Sequence, residues 1–479
     1  MAAVKGSSSQ RLAWLEGIRI FAAVMLLVYH AQLLFTDYAF TPKPLGLAAN
    51  LRLIEVASDR LGHNLLTYIL SFPAWFGFQF VDVFILISGF SLVLSLKGKP
   101  LEVGSFLQHR LLRILWPLWT VAWLSYPFLW AIGIATNSYR PDLWYVFAGA
   151  SFPLLFEYSG ELLLKSSGPW WFVPLILSFA LIFPFLWHLL RRWGSRNLLI
   201  VSLALTIGYR ALAVYKFDGH PTYVVLDTAT DWLPFLPFIA KLSTFVLGMV
   251  VARAYRAGQG PLFWPTRWVL GFGILFYVMG FICQFSRLGW VFADLLLPIG
   301  LTLCCMVAFQ ALAQIRLAKS TMLWLGAHSY SYFLIHDFVL DRTINLVVED
   351  SRVLYWLLLP AMIVATLLLA MVADHATPLL QRVVMGILRD LDYVLTIAPK
   401  IQIRSWLPQV GDRVRYRNEA GWTVIKIERL LDDKEVFLCQ ITDGQRILWL
   451  NEDDLEPDTH SSLNDSSISR NGSKYNSLS

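Results

Sequence analysis

The sequence predicts an all-α polytopic membrane protein of about ten transmembrane helices that carries a small C-terminal cytoplasmic β domain, SH3-like in its strand pattern. Three observations lead there. The composition is 57% hydrophobic and 15% charged with 20 Trp, and the mean hydropathy is +0.56, values that exclude a soluble globular domain. Apolar runs of spanning length recur from the N-terminus to about residue 374. Lys and Arg gather in alternate loops, the positive-inside pattern.

Taken in order, the runs are 13–36, 72–96, 113–136, 170–190, 197–216, 233–255, 265–285, 289–313, 321–346 and 354–374. The first follows MAAVKGSSSQRLAW, which lacks a short apolar core ending in a small-residue cleavage site, so it is expected to be a retained span. Lys97, Lys99, Arg110 and Arg113 follow the second run, Arg191, Arg192 and Arg196 the fourth, Arg253, Arg256 and Arg267 the sixth, and Arg316 and Lys319 the eighth. Placing these loops in the cytoplasm puts both termini there and leaves 37–71, 137–169, 217–232 and 347–353 outside. The short apolar stretch 143–156 would invert that order as a span, and is expected to be interfacial or re-entrant. The net charge of +6 is absorbed by the loops, so the expected partner is the bilayer and not nucleic acid. The four cysteines form neither a disulfide framework nor a metal-binding spacing.

After the membrane domain, 1–375, the stretch 376–403 reads as an amphipathic linker able to lie on the membrane surface. Short alternating stretches, VGDRVRYR, GWTVIKIE, VFLCQI and ILWLNE, follow between turn residues and define a five-strand domain at 404–458, a possible protein-docking module. The remainder, 459–479, is rich in Ser and Asn and is expected to be disordered. Its two N-x-S sequons, at Asn464 and Asn471, would lie in the cytoplasm and are read as chance.

The first span carries Arg19 and His30, eleven residues apart, hence about 20° apart in azimuth and about 16 Å along the axis. Each costs several kcal/mol in hydrocarbon unless it faces a partner or a wet cavity. The alternative is that Arg19 snorkels to headgroups while His30 packs between helices. Counting depth at about 1.5 Å per residue puts Arg19, Ser88 and Ser329 in one layer. His30, Asp82 and His336 fall in a second layer about 20–25 Å deep. A carboxylate near a histidine fixes its tautomer, so Asp82 is a candidate to orient His30 as general base; its alternative is a helix–helix hydrogen bond. Arg110 and Arg113, one turn apart at the mouth of the third span, can grip phosphate or serve only as orientation charges.

LEGIRIFAAVMLLVYH (15–30), VDVFILISGF (81–90), RLLRILWP (110–117), PWWFVPLILSFALIFPFL (169–186), KLSTFVLGMVVAR (241–253) and LGAHSYSYFLIH (325–336) together resemble the ordered signatures of acyltransferase family 3, integral-membrane enzymes that acylate sugars and other extracytoplasmic acceptors. The resemblance spans about 1–375. It implies acyl-CoA as co-substrate with no bound cofactor or metal, and an essential Arg and His that map onto Arg19 and His30. The family's R-x-x-R maps onto Arg110 and Arg113, its S-G-F onto Ser88, Gly89 and Phe90, and its last motif onto Gly326, Ser329, Tyr330 and His336. Trp171 begins the W-F-x-x-L signature. Glu16 stands for the commoner aspartate and Phe333 for a tyrosine.

The resemblance implies an O-acyltransferase of the inner or plasma membrane, with the donor docked on Arg19, Arg110 and Arg113 and His30 as base. Acetyl is the commonest acyl group of the family, and an exported or lipid-linked carbohydrate is the acceptor it implies. A covalent route through Ser329 or His30 is less favoured, because no Ser and His adjoin in sequence. The competing class is a proton-coupled transporter, in which Arg210, Lys241, Asp294 and His30 would form a relay. Trp75, Trp130, Trp144, Trp170 and Trp232 suit sugar stacking, and equally an interfacial aromatic belt.

Overall fold

The computed structural model describes residues 12–36, 42–62, 77–137, 140–141, 168–219, 221, 238–397, 408–417, 419–430, 436–451 and 454–458. Two compact units emerge, Met1–Arg382 and Val383–Ser479. The stretch 143–156, the tail from 459, and Trp75, Trp144 and Trp232 lie outside the described residues.

The first unit is helical: α1 (Ala13–Phe35), α2 (Leu47–Leu61), α3 (Phe80–Ser95), α4 (Val103–Ala135), α5 (Phe172–Tyr215), α6 (Leu242–Arg256), α7 (Thr266–Cys283), α8 (Arg287–Leu312), α9 (Arg316–Ala327), α10 (Ser329–Thr343) and the greater part of α11 (Arg352–Ile397), whose last residues, from Val383, fall in the second unit. Among the described residues, eight helices are long and apolar enough to cross a membrane, where the sequence suggests about ten spans. Two local features account for the difference. The fourth and fifth runs fall within the 44 residues of α5, interrupted where Gly194 takes φ 79° and ψ 170°, a conformation open to glycine and closed to helix. The ninth run is cut at His328 into α9 and α10, of 12 and 15 residues, each too short to span alone.

Within the stretch read as an amphipathic linker, α11 runs on from the last span through Ile397, and 398–403 lie outside the described residues. Pro378 removes one amide donor, yet the helix continues past it and past Gly386.

One apolar core joins the helices, with Ile18, Leu26, Leu27, Val83, Phe179, Phe245 and Leu340 all buried. The outside is apolar as well: Leu357, Val364, Leu368 and Val372 form an exposed stripe at helical spacing on α11, and Ile274 and Val278 do so on α7. Exposed apolar stripes on long helices fit a lipid surround, as expected of a multi-pass membrane protein.

A close helix pairing joins α3 to α6. A Cβ on Gly89 would fall 2.2 Å from the Phe245 carbonyl oxygen, and one on Gly248 would fall 2.1 Å from that of Leu86. Glycine on both sides therefore lets the backbones touch, which is how helices associate where lipid supplies no hydrophobic drive. This contact fixes the face of α3 that carries Ser88 and Ser91.

In the second unit, β1 (Arg413–Tyr416), β2 (Glu419–Leu430), β3 (Val436–Thr442), β4 (Ile447–Asn451) and β5 (Glu456–Pro457) make one antiparallel sheet in the order β4-β3-β2-β1-β5. Alternation sends Val414, Trp422, Val424, Cys439 and Ile441 inward, where Leu455 joins them. The fifth strand is two residues long, too short to read from sequence.

Candidate active site

Arg19 and His30 both lie on the unbroken helix α1, so the spacing of about 16 Å along the axis holds. Their surroundings differ. Arg19 donates to Glu16 Oε1 at 3.0 Å and to Ser91 Oγ at 2.7 Å. Glu16 in turn lies under Gly326, where a Cβ would come within 2.5 Å of its own, so α1 and α9 are locked together beside the guanidinium.

Arg19 opens onto a cavity of about 560 Å³ lined also by Glu16, Ser88, Ser91, Arg110, Arg113, Ser329, Tyr330 and Asp374. The structure thus brings together Arg19, Ser88, Arg110, Arg113, Glu16, Ser329 and Tyr330. Two of them are held mainly to build the wall: Ser329 Oγ bonds the Gly326 carbonyl at 2.9 Å, and the Tyr330 hydroxyl bonds that of Ile114 at 3.1 Å. The charge balance of the lining is cationic. Glu16 is engaged by Arg19, and Asp374 by His328 and Ser331, which leaves Arg110 and Arg113 without a carboxylate among the described residues. Among the described residues, Arg110 reaches only Ser88 Oγ, at 3.3 Å, and its buried Nε has no partner. A buried donor left open in a cationic cavity is a place for an anion.

Deeper along α1, His30 Nδ1 lies 2.8 Å from His336 Nε2, and the other nitrogen of His336 lies 2.5 Å from the Phe333 carbonyl. The carbonyl can only accept, so His336 Nδ1 carries a proton. With both rings neutral, His336 Nε2 is then an acceptor, and His30 must donate from Nδ1. That leaves the lone pair of His30 on Nε2. His336 is fully buried while His30 is only partly so, which suits a base that meets a substrate and a partner that orients it.

Of the two readings open for Asp82, its contact is of the helix–helix kind. Its Oδ2 accepts from Lys241 Nζ at 2.8 Å, and no contact joins it to His30 among the described residues. Lys241 also reaches Asp294 Oδ2 at 2.8 Å, and Arg210 donates to the same oxygen at 3.0 Å while capping the Trp290 and Val291 carbonyls. Two acids and two bases from α3, α5, α8 and the start of α6 form a neutral buried cluster, the arrangement that makes buried charge tolerable. His30, proposed for the same relay as Arg210, Lys241 and Asp294, is not bonded to them. Trp171, in the turn Gly168–Trp171 before α5, packs edge-on against Phe172 at 6.4 Å, and the neighbouring Trp170 donates to the Leu334 carbonyl at 2.9 Å.

Sequence reasoning missed Ser91, Asp374 and the Asp82–Lys241 pair. Ser91 was legible as the next residue on the Ser88 face, at i+3, and Lys241 as a lone cation within an apolar run. Nothing in the sequence tied Asp374 to His328.

Compared with known proteins, residues 12–375 match the model of a family described as an acyltransferase domain. No curated protein matches, and no solved structure does.

Proposed function

The chain belongs to acyltransferase family 3, and on that premise we propose that it moves an acyl group, acetyl foremost, from cytoplasmic acyl-CoA to a hydroxyl of an extracytoplasmic or lipid-linked carbohydrate. One observation carries this reading: α1 holds Arg19 on a cationic cavity whose Arg110 Nε has no partner among the described residues, and about 16 Å further along the same helix it holds His30, whose Nε2 is free to take a proton. That length suits a carrier with phosphates at one end and a thioester at the other.

In this reading the phosphates dock against Arg19, Arg110 and Arg113, and the pantetheine arm extends along α1. The acceptor hydroxyl loses its proton to His30 Nε2 as its oxygen attacks the thioester carbonyl. His336 Nε2 accepts the hydrogen bond from His30 Nδ1 and stabilises the imidazolium. When the tetrahedral adduct collapses, the carbon–sulfur bond breaks, and the thiolate takes the proton back from His30. The membrane would hold both termini on the cytoplasmic side, because the cavity lies beside Ser95 and Ser105, which flank the basic loop of Lys97 and Lys99.

The deciding experiment uses purified full-length protein in nanodiscs with labelled acetyl-CoA and candidate glycans. Label transfer that disappears in His30→Ala supports the enzyme. No transfer to any acceptor, together with ion-coupled uptake in proteoliposomes, favours transport instead. The Asp82–Lys241–Asp294–Arg210 cluster is what keeps that second reading in play.

A further inference from the structure

The basic cavity and the histidine pair do not meet. Neither His30 nor His336 lines the cavity, and what lies at its deep end is aromatic: Phe84, Phe172 and Phe333. Their ring centroids are 6.2 Å apart for Phe84 and Phe172, 6.3 Å for Phe84 and Phe333, and 5.0 Å for Phe172 and Phe333. Phe333 is also the ring next to the base's partner, at 5.4 Å from the His336 imidazole. Phe84 is only partly buried, whereas Phe172 and Phe333 are buried.

We propose that Phe84, Phe172 and Phe333 form the subsite for the acyl end of the donor, and that their mutual contact restricts the transferred group to a short chain. The proposal rests on the acyl-CoA reading above. Each ring comes from a different helix, α3, α5 and α10, so side-chain rotation can part them for a slender pantetheine arm without breaking backbone hydrogen bonds. A two-carbon acyl group needs little room past the rings. Every further methylene must displace packed aromatic surface or stay behind it. Phe333 is the residue most directly placed to set this limit, because it touches the other two rings and its carbonyl holds His336.

The test compares donors within one preparation, so that a loss of folded protein cancels. Transfer is measured from acetyl-, butyryl-, hexanoyl- and octanoyl-CoA by wild-type protein and by Phe84→Ala, Phe172→Ala and Phe333→Ala. Wild type should favour acetyl over hexanoyl, and Phe333→Ala or Phe172→Ala should move the hexanoyl-to-acetyl ratio of kcat/KM up by about tenfold, a fraction of the roughly 250-fold that full apolar burial of the four extra methylenes would give. Inhibition of wild type by S-ethyl- and S-hexyl-CoA supplies a readout that needs no variant, with the hexyl thioether expected to bind more weakly. Equal use of octanoyl- and acetyl-CoA by wild type, equal inhibition by the two thioethers, or an unchanged ratio in all active variants would overturn the subsite. No transfer from any donor in wild type would overturn the acyl-CoA reading itself, a different result.

Discussion

His30 Nδ1 lies 2.8 Å from His336 Nε2, and His336 is held by the Phe333 carbonyl in the tautomer that accepts from it. In the proposed reaction the pair would do what a histidine–carboxylate couple does elsewhere, with a neutral ring as the orienting group. His336→Ala should therefore lower kcat by about 100-fold, the lower end of what a positioned base contributes, while KM for the donor stays within about twofold. His336→Gln, whose amide oxygen can accept from His30 Nδ1, should recover part of the loss. A wild-type kcat in His336→Ala, measured in nanodiscs at saturating donor, would show that His30 needs no such partner.

In the proposed reading Arg110 and Arg113 bind the donor. Replacing either with Gln should raise KM for acetyl-CoA by about tenfold at low salt, the equivalent of one charge-assisted hydrogen bond, with kcat nearly unchanged. Acetyl-pantetheine, which lacks the nucleotide phosphates, should be used equally poorly by wild type and both variants. If the variants lose as much on acetyl-pantetheine as on acetyl-CoA, the arginines hold structure and not phosphate.

The reach of sequence reasoning can be judged on these same residues. Counting 1.5 Å per residue from the helix ends gives depth, and depth alone grouped Arg19 with Ser88 and Ser329, which do line one cavity. It also grouped His30, Asp82 and His336, of which only the histidines touch. Depth carries no azimuth between helices. Asp82 faces Lys241 because Gly89 and Gly248 bring α3 and α6 into backbone contact, a pairing that no periodicity within either run reveals. The breaks at Gly194 and His328 were hidden for a related reason: hydropathy averages over a window and passes over a break confined to one residue, whether its dihedrals leave the helix, as at Gly194, or only loosen it, as at His328.

Lys241 sits between Asp82 and Asp294, and Lys241→Met would strand two carboxylates against the single charge of Arg210. Breaking a buried pair from one side costs about 3–5 kcal/mol. A marked fall in melting temperature in detergent is the expected outcome. Adding Asp82→Asn removes the surplus negative charge and should restore most of the stability. The double variant also separates two roles for Asp82. Transfer within about threefold of wild type in Lys241→Met/Asp82→Asn would make Asp82 a packing charge, whereas loss of transfer in a protein of restored stability would return it to the chemistry at His30.

The C-terminal β domain allows the broadest separation. Its core, Val414, Trp422, Val424, Cys439, Ile441 and Leu455, is self-contained, and its backbone pairs run among its own five strands. Every residue assigned to donor binding or proton transfer precedes residue 375, inside the stretch that matches the acyltransferase family. Deleting residues 404–479 should leave kcat/KM for acetyl transfer within about twofold, because an active site preorganised by helix packing does not depend on a sheet with a core of its own. What should change is cellular placement or the set of proteins recovered with the enzyme after crosslinking. Complete loss of transfer in a truncated protein that still inserts, and still melts at the wild-type temperature, would mean that the β domain completes the site.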